Sequence, residues 1–199
     1  MRETDSRAQG RDVPDSMCAE SFDELFERYE RKIFNLIYRL IGDHEEATDL
    51  ASETFVQALR SFNRFRGEAR PYTWLYRIAI NQCKNYFRRR DVRKRVHGPS
   101  LDERVAADGD GGVQREVADW RHAPQRNAER RELQREVERA IAALSPDARM
   151  VVVLRDVHGF SYQEIAEMVG VSLEVVKARL FRARAALREQ LSEYLLPEA

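Results

Sequence analysis

The stretch Phe160–Leu191 reads FSYQEIAEMVGVSLEVVKARLFRARAALREQL, and its punctuation decides the fold. Ser161 and Glu164 stand three apart, the spacing at which each side chain caps the other residue's backbone N–H at a helix start. Ile165, Ala166 and Val169 then supply the apolar face of a short helix. Gly170 provides the turn, and Ser172 caps a longer helix whose core row is Val176, Leu180, Ala183, Leu187 and Leu191. A short helix, a glycine turn and a longer basic helix make a helix-turn-helix, in which the second helix enters the major groove by its N-terminal part. Lys177, Phe181, Arg182 and Arg184 lie off the apolar row and can face DNA. Glu174 suits the positive end of the helix dipole and can also accept from a cytosine amino group. A plain helical packing unit with a charged outer face is the simpler reading of the same pattern.

Upstream, Leu133, Val137, Ile141 and Leu144 mark one helix. Ser145-Pro146 opens another, with Met150, Val151, Leu154 and Val157 inside and Gly159 as its stop. These place a helical domain at residues 129–195. Between 91 and 128 the periodicity fails, and ADGDGG with scattered prolines reads as a linker. Residues 20–90 hold a second helical domain. Its first helix carries Phe22, Leu25, Phe26, Tyr29, Ile33, Leu36, Ile37 and Leu40, and ends at Gly42. Asp43 and Glu46 begin the next, which buries Ala47, Leu50, Ala51, Thr54, Phe55, Ala58 and Leu59 and shows Asp49, Glu53 and Gln57 in one exposed row. Pro71 opens a third, with Leu75, Ile78, Ala79 and Cys83 inward. Residues 1–19 are polar and aperiodic, the pattern of a disordered tail. The expectation is an all-α chain of two small domains on a flexible linker, the second a helix-turn-helix of winged-helix-like kind.

A net charge of zero conceals segregation. Residues 20–61 hold ten acids and five bases, whereas residues 62–97 hold eleven bases and two acids, net +9. A charge run is ordinarily a solvated face. Here the acids are missing and rings are interleaved, which points to a polyanion. On the third helix Trp74, Arg77, Asn81, Lys84 and Arg88 are spaced three and four apart, so they form one stripe. Cations hold phosphates, an amide reads base edges, and a ring stacks on an unpaired base. Packing in the core is the competing role for Trp74.

Two cysteines, Cys18 and Cys83, make neither a disulfide framework nor a CxxC pair. No stretch approaches the ~20 apolar residues of a membrane span, and nothing resembles a secretory signal, so a reduced, cytoplasmic protein is expected. No catalytic set, metal site or cofactor is read. The acids Asp43, Glu45, Glu46 and Asp49 with His44 admit a metal-dependent nuclease in principle, but they lack metal-ligand spacing, and solvation and the helix dipole account for them. A free-standing helix-turn-helix regulator is the other alternative, for which no dimerisation helix or effector domain is visible.

Taken together, FRGEARPYTWLYRIAINQCKNYFRRR (65–90), DHEEATDLASETF (43–55) and the opening stretch resemble the extracytoplasmic-function (ECF) branch of the sigma-70 family. The resemblance covers about residues 20–90 and 129–192, in the family's order and with its linker. It implies a factor that binds core RNA polymerase at clamp and flap, places it at promoters and helps open the duplex. It implies polymerase contact at Asp49, Leu50, Glu53 and Phe55. Minus-ten recognition and strand capture fall to Arg64, Phe65, Arg66 and Arg70 in the loop and to Asn81, Lys84 and Asn85, beside Trp74, Arg77 and Arg88 of the stripe. Minus-thirty-five recognition falls to Arg155, Lys177, Ala178, Phe181 and Arg182, with Ser172 at the entry of the helix. Family members are often held by an anti-sigma protein, so one is an expected partner. This chain has Ser52 where the family often has Gln, Glu174-Val175 for the frequent Gly-Thr, and Ala178 for the frequent Ser.

Overall fold

The computed structural model describes residues 21–62, 70–97 and 124–195, and the described residues are helical throughout apart from short turns. In chain order they are α1 (Phe22–Ile41), α2 (His44–Phe62), α3 (Pro71–His97), α4 (Pro124–Ala143), α5 (Pro146–Val152) with a π-helical continuation (Val153–Val157), α6 (Tyr162–Val169), α7 (Leu173–Gln190) and α8 (Ser192–Leu195). The expected tail lies outside the described residues. So do Arg64, Phe65 and Arg66 and the middle of the linker.

Each boundary has a local cause. Ser21 and Glu24 form a reciprocal capping box at α1, as Ser161 and Glu164 do at α6. At α2 only half of that device exists: Asp43 Oδ1 accepts from the Glu46 N–H at 2.9 Å. Gly42 and Gly170 end α1 and α6 with φ of 82° and 71°. An L side chain at such a left-handed position costs roughly 1–2 kcal/mol. Helix α3 runs to His97, seven residues past the expected end of the first domain at 90, and α4 begins at Pro124, ahead of its expected start. The DVRKRVH segment explains the first: it contains no breaker, and Gly98-Pro99 is the first to follow.

Helices α1, α2 and α3 pack as one bundle, and α5, α6 and α7 form the core of the other. Leu25, Ile33, Leu36, Ile37, Leu40, Leu75 and Ile80 are sealed in the first. Met150, Leu154, Ile165, Met168 and Leu180 are sealed in the second. Full burial of such side chains contributes about 1.5–3 kcal/mol each. The two bundles also pack on one another, chiefly α3 on α6, with α1 touching α4 and α5. Of the expected apolar positions, Phe26 is 38% exposed on α1, and three more turn outward. Leu59 is 56% exposed at the far edge of α2 and Leu133 is 44% exposed on α4. Val157 is 43% exposed because the π turn inserts an extra residue: His158 N–H reaches back to the Val153 carbonyl, and the helix end rotates.

Candidate polymerase and nucleic-acid interfaces

On α2 the row of expected polymerase contacts splits by depth. Asp49 and Glu53 are exposed one turn apart. Leu50 and Phe55 are buried at 6% and 7% exposure, with Phe55 edge-on to Phe26 at 4.7 Å. They therefore pack chiefly in the core, where they fix the helix, and show little surface of their own. Ser52 sits between the two acids with its hydroxyl folded back on the Thr48 carbonyl at 3.0 Å. Val56 and Leu59 add an exposed apolar margin beside the acids, where the sequence pattern places Leu59 inward.

On α3 the basic stripe is real, but it is not uniformly open. Arg77, Asn81, Asn85 and Arg88 are exposed, as is Arg70 just before the helix. Trp74 is half-buried, with its ring 6.4 Å from that of Phe62, so the core role claims part of it. Lys84 departs from the expected free cation. Its ammonium donates to the Val169 carbonyl at the end of α6, and burial is the main cause of its lowered pKa. That carbonyl is one of the last of its helix, where cations are favoured.

On α7 Lys177, Ala178, Phe181 and Arg182 are exposed, and Phe181 is 77% exposed. Tyr162, Lys177, Leu180, Phe181, Arg184 and Arg188 line a shallow groove of about 400 Å³. Arg184 is clamped by Asp156 at 2.5 Å, and this partner raises its pKa. Ser172 is spent on its own helix, accepting from the Val175 N–H at 3.4 Å. Arg155 is half-buried: it donates to the Phe160 carbonyl at 2.8 Å and lies over the Tyr162 ring at 4.8 Å. These two residues brace the motif more than they present it. Among the described residues no group of three or more His, Cys, Asp or Glu side chains is placed to hold a metal ion. No described helix is long and apolar enough to cross a membrane.

The sequence reading missed the groups where the halves meet. Tyr72 stacks on Phe160 at 5.5 Å and donates to Glu164 Oε1 at 2.8 Å. Tyr76 packs edge-on against Phe160 at 4.9 Å and His158 at 5.3 Å, and shares a 3.1 Å hydrogen bond with His158 Nδ1. Burial raises the Tyr76 phenol, which stays protonated, and pushes the His158 imidazole down to about 4, with Arg39 and Lys32 adding to that effect. Glu164 also feels burial, which alone would raise it. Its hydrogen bonds from Ser161 and Tyr72 and the charge of Arg70 outweigh that and leave its carboxyl low.

Comparison with known proteins gives this arrangement a family. Sigma-70 region 2 matches residues 25–93, and Sigma-70, region 4 matches residues 134–187. The RNA polymerase sigma-H factor of Pseudomonas aeruginosa is 35% identical over 175 residues, 88% of each chain. The ECF RNA polymerase sigma-E factor of Escherichia coli K12 is 35% identical over 170 residues, 84% of each chain. Among solved structures, the sigma factor RpoE of Bartonella quintana, crystallised with the anti-sigma factor NepR, has a TM-score of 0.61 at 25% identity, covering 86% of this chain and 96% of that one. CnrH, solved with the cytosolic domain of CnrY, shares the fold at a TM-score of 0.58 and 24% identity, covering 86% and 88%. Two regions in the right order and relatives aligned over most of their length do not favour a free-standing regulator. The chain belongs to the sigma-70 family as an ECF RNA polymerase sigma factor, a transcription initiation factor that works with core polymerase and promoter DNA.

Proposed function

We propose a division of this role among three helices. Helix α2 grips the polymerase clamp through Asp49 and Glu53, with Val56 and Leu59 as the apolar margin, while Leu50 and Phe55 hold that face from beneath. Helix α3 captures the minus-ten strand through Arg77, Asn81, Asn85 and Arg88, joined by Lys84 and by the loop from Arg64 to Arg70. Helix α7 reads the minus-thirty-five element through Lys177, Ala178, Phe181 and Arg182. The protein carries out no chemistry of its own and works in the cytoplasm. Melting needs no catalytic group: a displaced strand held by stacking gains roughly 1–3 kcal/mol per base, comparable to the ~1.4 kcal/mol mean stacking lost per base-pair step. An anti-sigma protein is the proposed negative partner, supported by the likeness to a sigma factor solved with one.

The observation that carries the reading is the charge split. The exposed side of α2 shows carboxylates, and the exposed stripe of α3 shows cations and amides with no acid among them. One face suits a basic protein and the other a nucleic acid. Replacing both Asp49 and Glu53 by Lys is expected to weaken core polymerase binding at least tenfold, measured by fluorescence anisotropy, with the helical circular dichroism unchanged. Undiminished affinity in that double variant removes α2 as the grip.

A further inference from the structure

The exposed row of α2 does not end at its two acids. Gln57 follows Glu53 by four residues, as Glu53 follows Asp49. The three side chains therefore stand a turn apart on one exposed face, over about 12 Å of helix. Every hydroxyl of α2 is turned back on its own helix. Thr48 donates to the His44 carbonyl at 2.8 Å, Ser52 to that of Thr48 at 3.0 Å, Thr54 to that of Leu50 at 2.7 Å and Ser61 to that of Gln57 at 2.7 Å. Their protons are spent within α2. On this row the neutral side chain with a proton to give outward is Gln57.

Gln57 is also held in place. Gln82 of α3 donates its Nε2 to Gln57 Oε1 at 2.9 Å, across the seam where α2 packs on α3. A carboxamide carries its acceptor on one arm and its donors on the other. With Oε1 taken by Gln82, the Gln57 amide nitrogen is turned away from that bond, and it has no partner among the described residues. A free glutamine turns either arm outward. This one presents a donor, and part of the side-chain entropy that binding costs is already spent. The donor stands one turn from the Glu53 carboxylate, which repels phosphates and so favours a protein over a nucleic acid as its partner.

We propose that Gln57 is a third polymerase contact on α2, donating to an uncharged oxygen acceptor of the clamp, and that Gln82 is its positioning residue. This rests on the reading of α2 as the polymerase grip. The two acids meet cations and Gln57 meets a carbonyl, so the row fits a partner face with positive charge at one end and a neutral acceptor at the other. Such a donor also discriminates. A surface with a cation at that place would leave the Gln57 N–H unmade on binding. Gln82 acts at one remove, by setting which arm of Gln57 faces out.

The test is a double-mutant cycle on the full chain, read as affinity for core polymerase by fluorescence anisotropy with no DNA present. Gln57→Ala is expected to weaken binding about tenfold. Gln82→Met keeps the length but removes the donor, and is expected to weaken it roughly two- to tenfold. The two together are expected to lose no more than Gln57→Ala alone, because Gln82 acts through Gln57. Additive losses overturn the positioning role. Gln82→Lys restores a donor to Gln57 Oε1 and is expected to recover most of the affinity, a rescue that a merely structural role would not give. Gln57→Glu separates donor from charge: it still accepts from Gln82 but offers no proton, and is expected to bind about tenfold more weakly. Equal or tighter binding by Gln57→Glu means that the face asks only for negative charge, and overturns the proposal. Unchanged polymerase affinity with weaker capture of a minus-ten single strand by the holoenzyme assigns the amide pair to DNA and overturns it too. The Asp49→Lys, Glu53→Lys chain is measured alongside. If it binds weakly and Gln57→Ala does not, the third contact falls and the grip stands. If it binds undiminished, the grip falls and Gln57 with it.

Discussion

Arg149 shows how one side chain can hold ends that lie far apart in sequence. Its Nη1 donates to the Leu40 carbonyl in the last turn of α1 at 2.6 Å. Its Nη2 donates to the Ala142 and Leu144 carbonyls at the end of α4, the latter at 3.2 Å. The last carbonyls of a helix have no intrahelical donor, so one planar fork serves two helix termini. Burial lowers its pKa and the charge of Arg90 adds to this, yet three acceptors keep the guanidinium in place. Arg149→Met keeps the length and removes the donors. It is expected to lose about 2–3 kcal/mol, which lowers the melting temperature by roughly 5–10 °C in a chain of this size. Arg149→Lys is expected to recover little, since an ammonium cannot fork. Calorimetry of the three proteins checks this. Nothing in the sequence marks Arg149, whose partners are backbone atoms up to 109 positions away.

At the scale of elements much was legible, because caps and turns are local chemistry. The Ser161–Glu164 box, the Ser172 cap and the left-handed Gly42 and Gly170 all stand where their neighbours in sequence require them. Gly170 gives a clean measurement. No atom lies within 4 Å of the position a Cβ would take, so Gly170→Ala introduces left-handed strain without a clash. It is expected to cost about 1–2 kcal/mol, read as a fall in the urea midpoint with an unchanged slope. A larger loss would mean that the turn packs more tightly than this geometry allows. Other features escaped the sequence for physical reasons. The π turn at Val153–Val157 exchanges one hydrogen-bond register for another, and nothing in VLRDV announces it. The depth of Leu50 and Phe55 is set by α1 packing on α2, so a family motif names those letters without saying which of them face out. The stripe on α3 was legible as a stripe. That Lys84 is claimed by α6 was not, since Val169 lies 85 positions on.

Across the whole molecule the contact of α3 with α6 couples two bundles that sequence patterning presents as independent. Two small bundles on a tether would unfold separately. Two bundles sharing buried Tyr76 and Phe160 should unfold as one while they stay together. The coupling is a function of pH, and the two groups at the contact that titrate below neutrality, His158 and Glu164, act in one direction. Neutral His158 favours the contact above its ordinary 6.5, an advantage lost on the way down to about 4. The Glu164 carboxyl is held low by its hydrogen bonds from Ser161 and Tyr72. Its contribution is present above the ordinary carboxylate value and is lost only as pH falls through its lowered one. The histidine therefore acts first, in a range where carboxylates remain ionised. Scanning calorimetry at pH 7.5 is expected to show one transition, with calorimetric and van 't Hoff enthalpies in agreement. At pH 5 the same chain is expected to show two, and His158→Gln to keep one at both. Two transitions already present at pH 7.5 would mean that the bundles are not coupled in the resting chain. A single transition that survives at pH 5 would mean that His158 leaves the contact without breaking it.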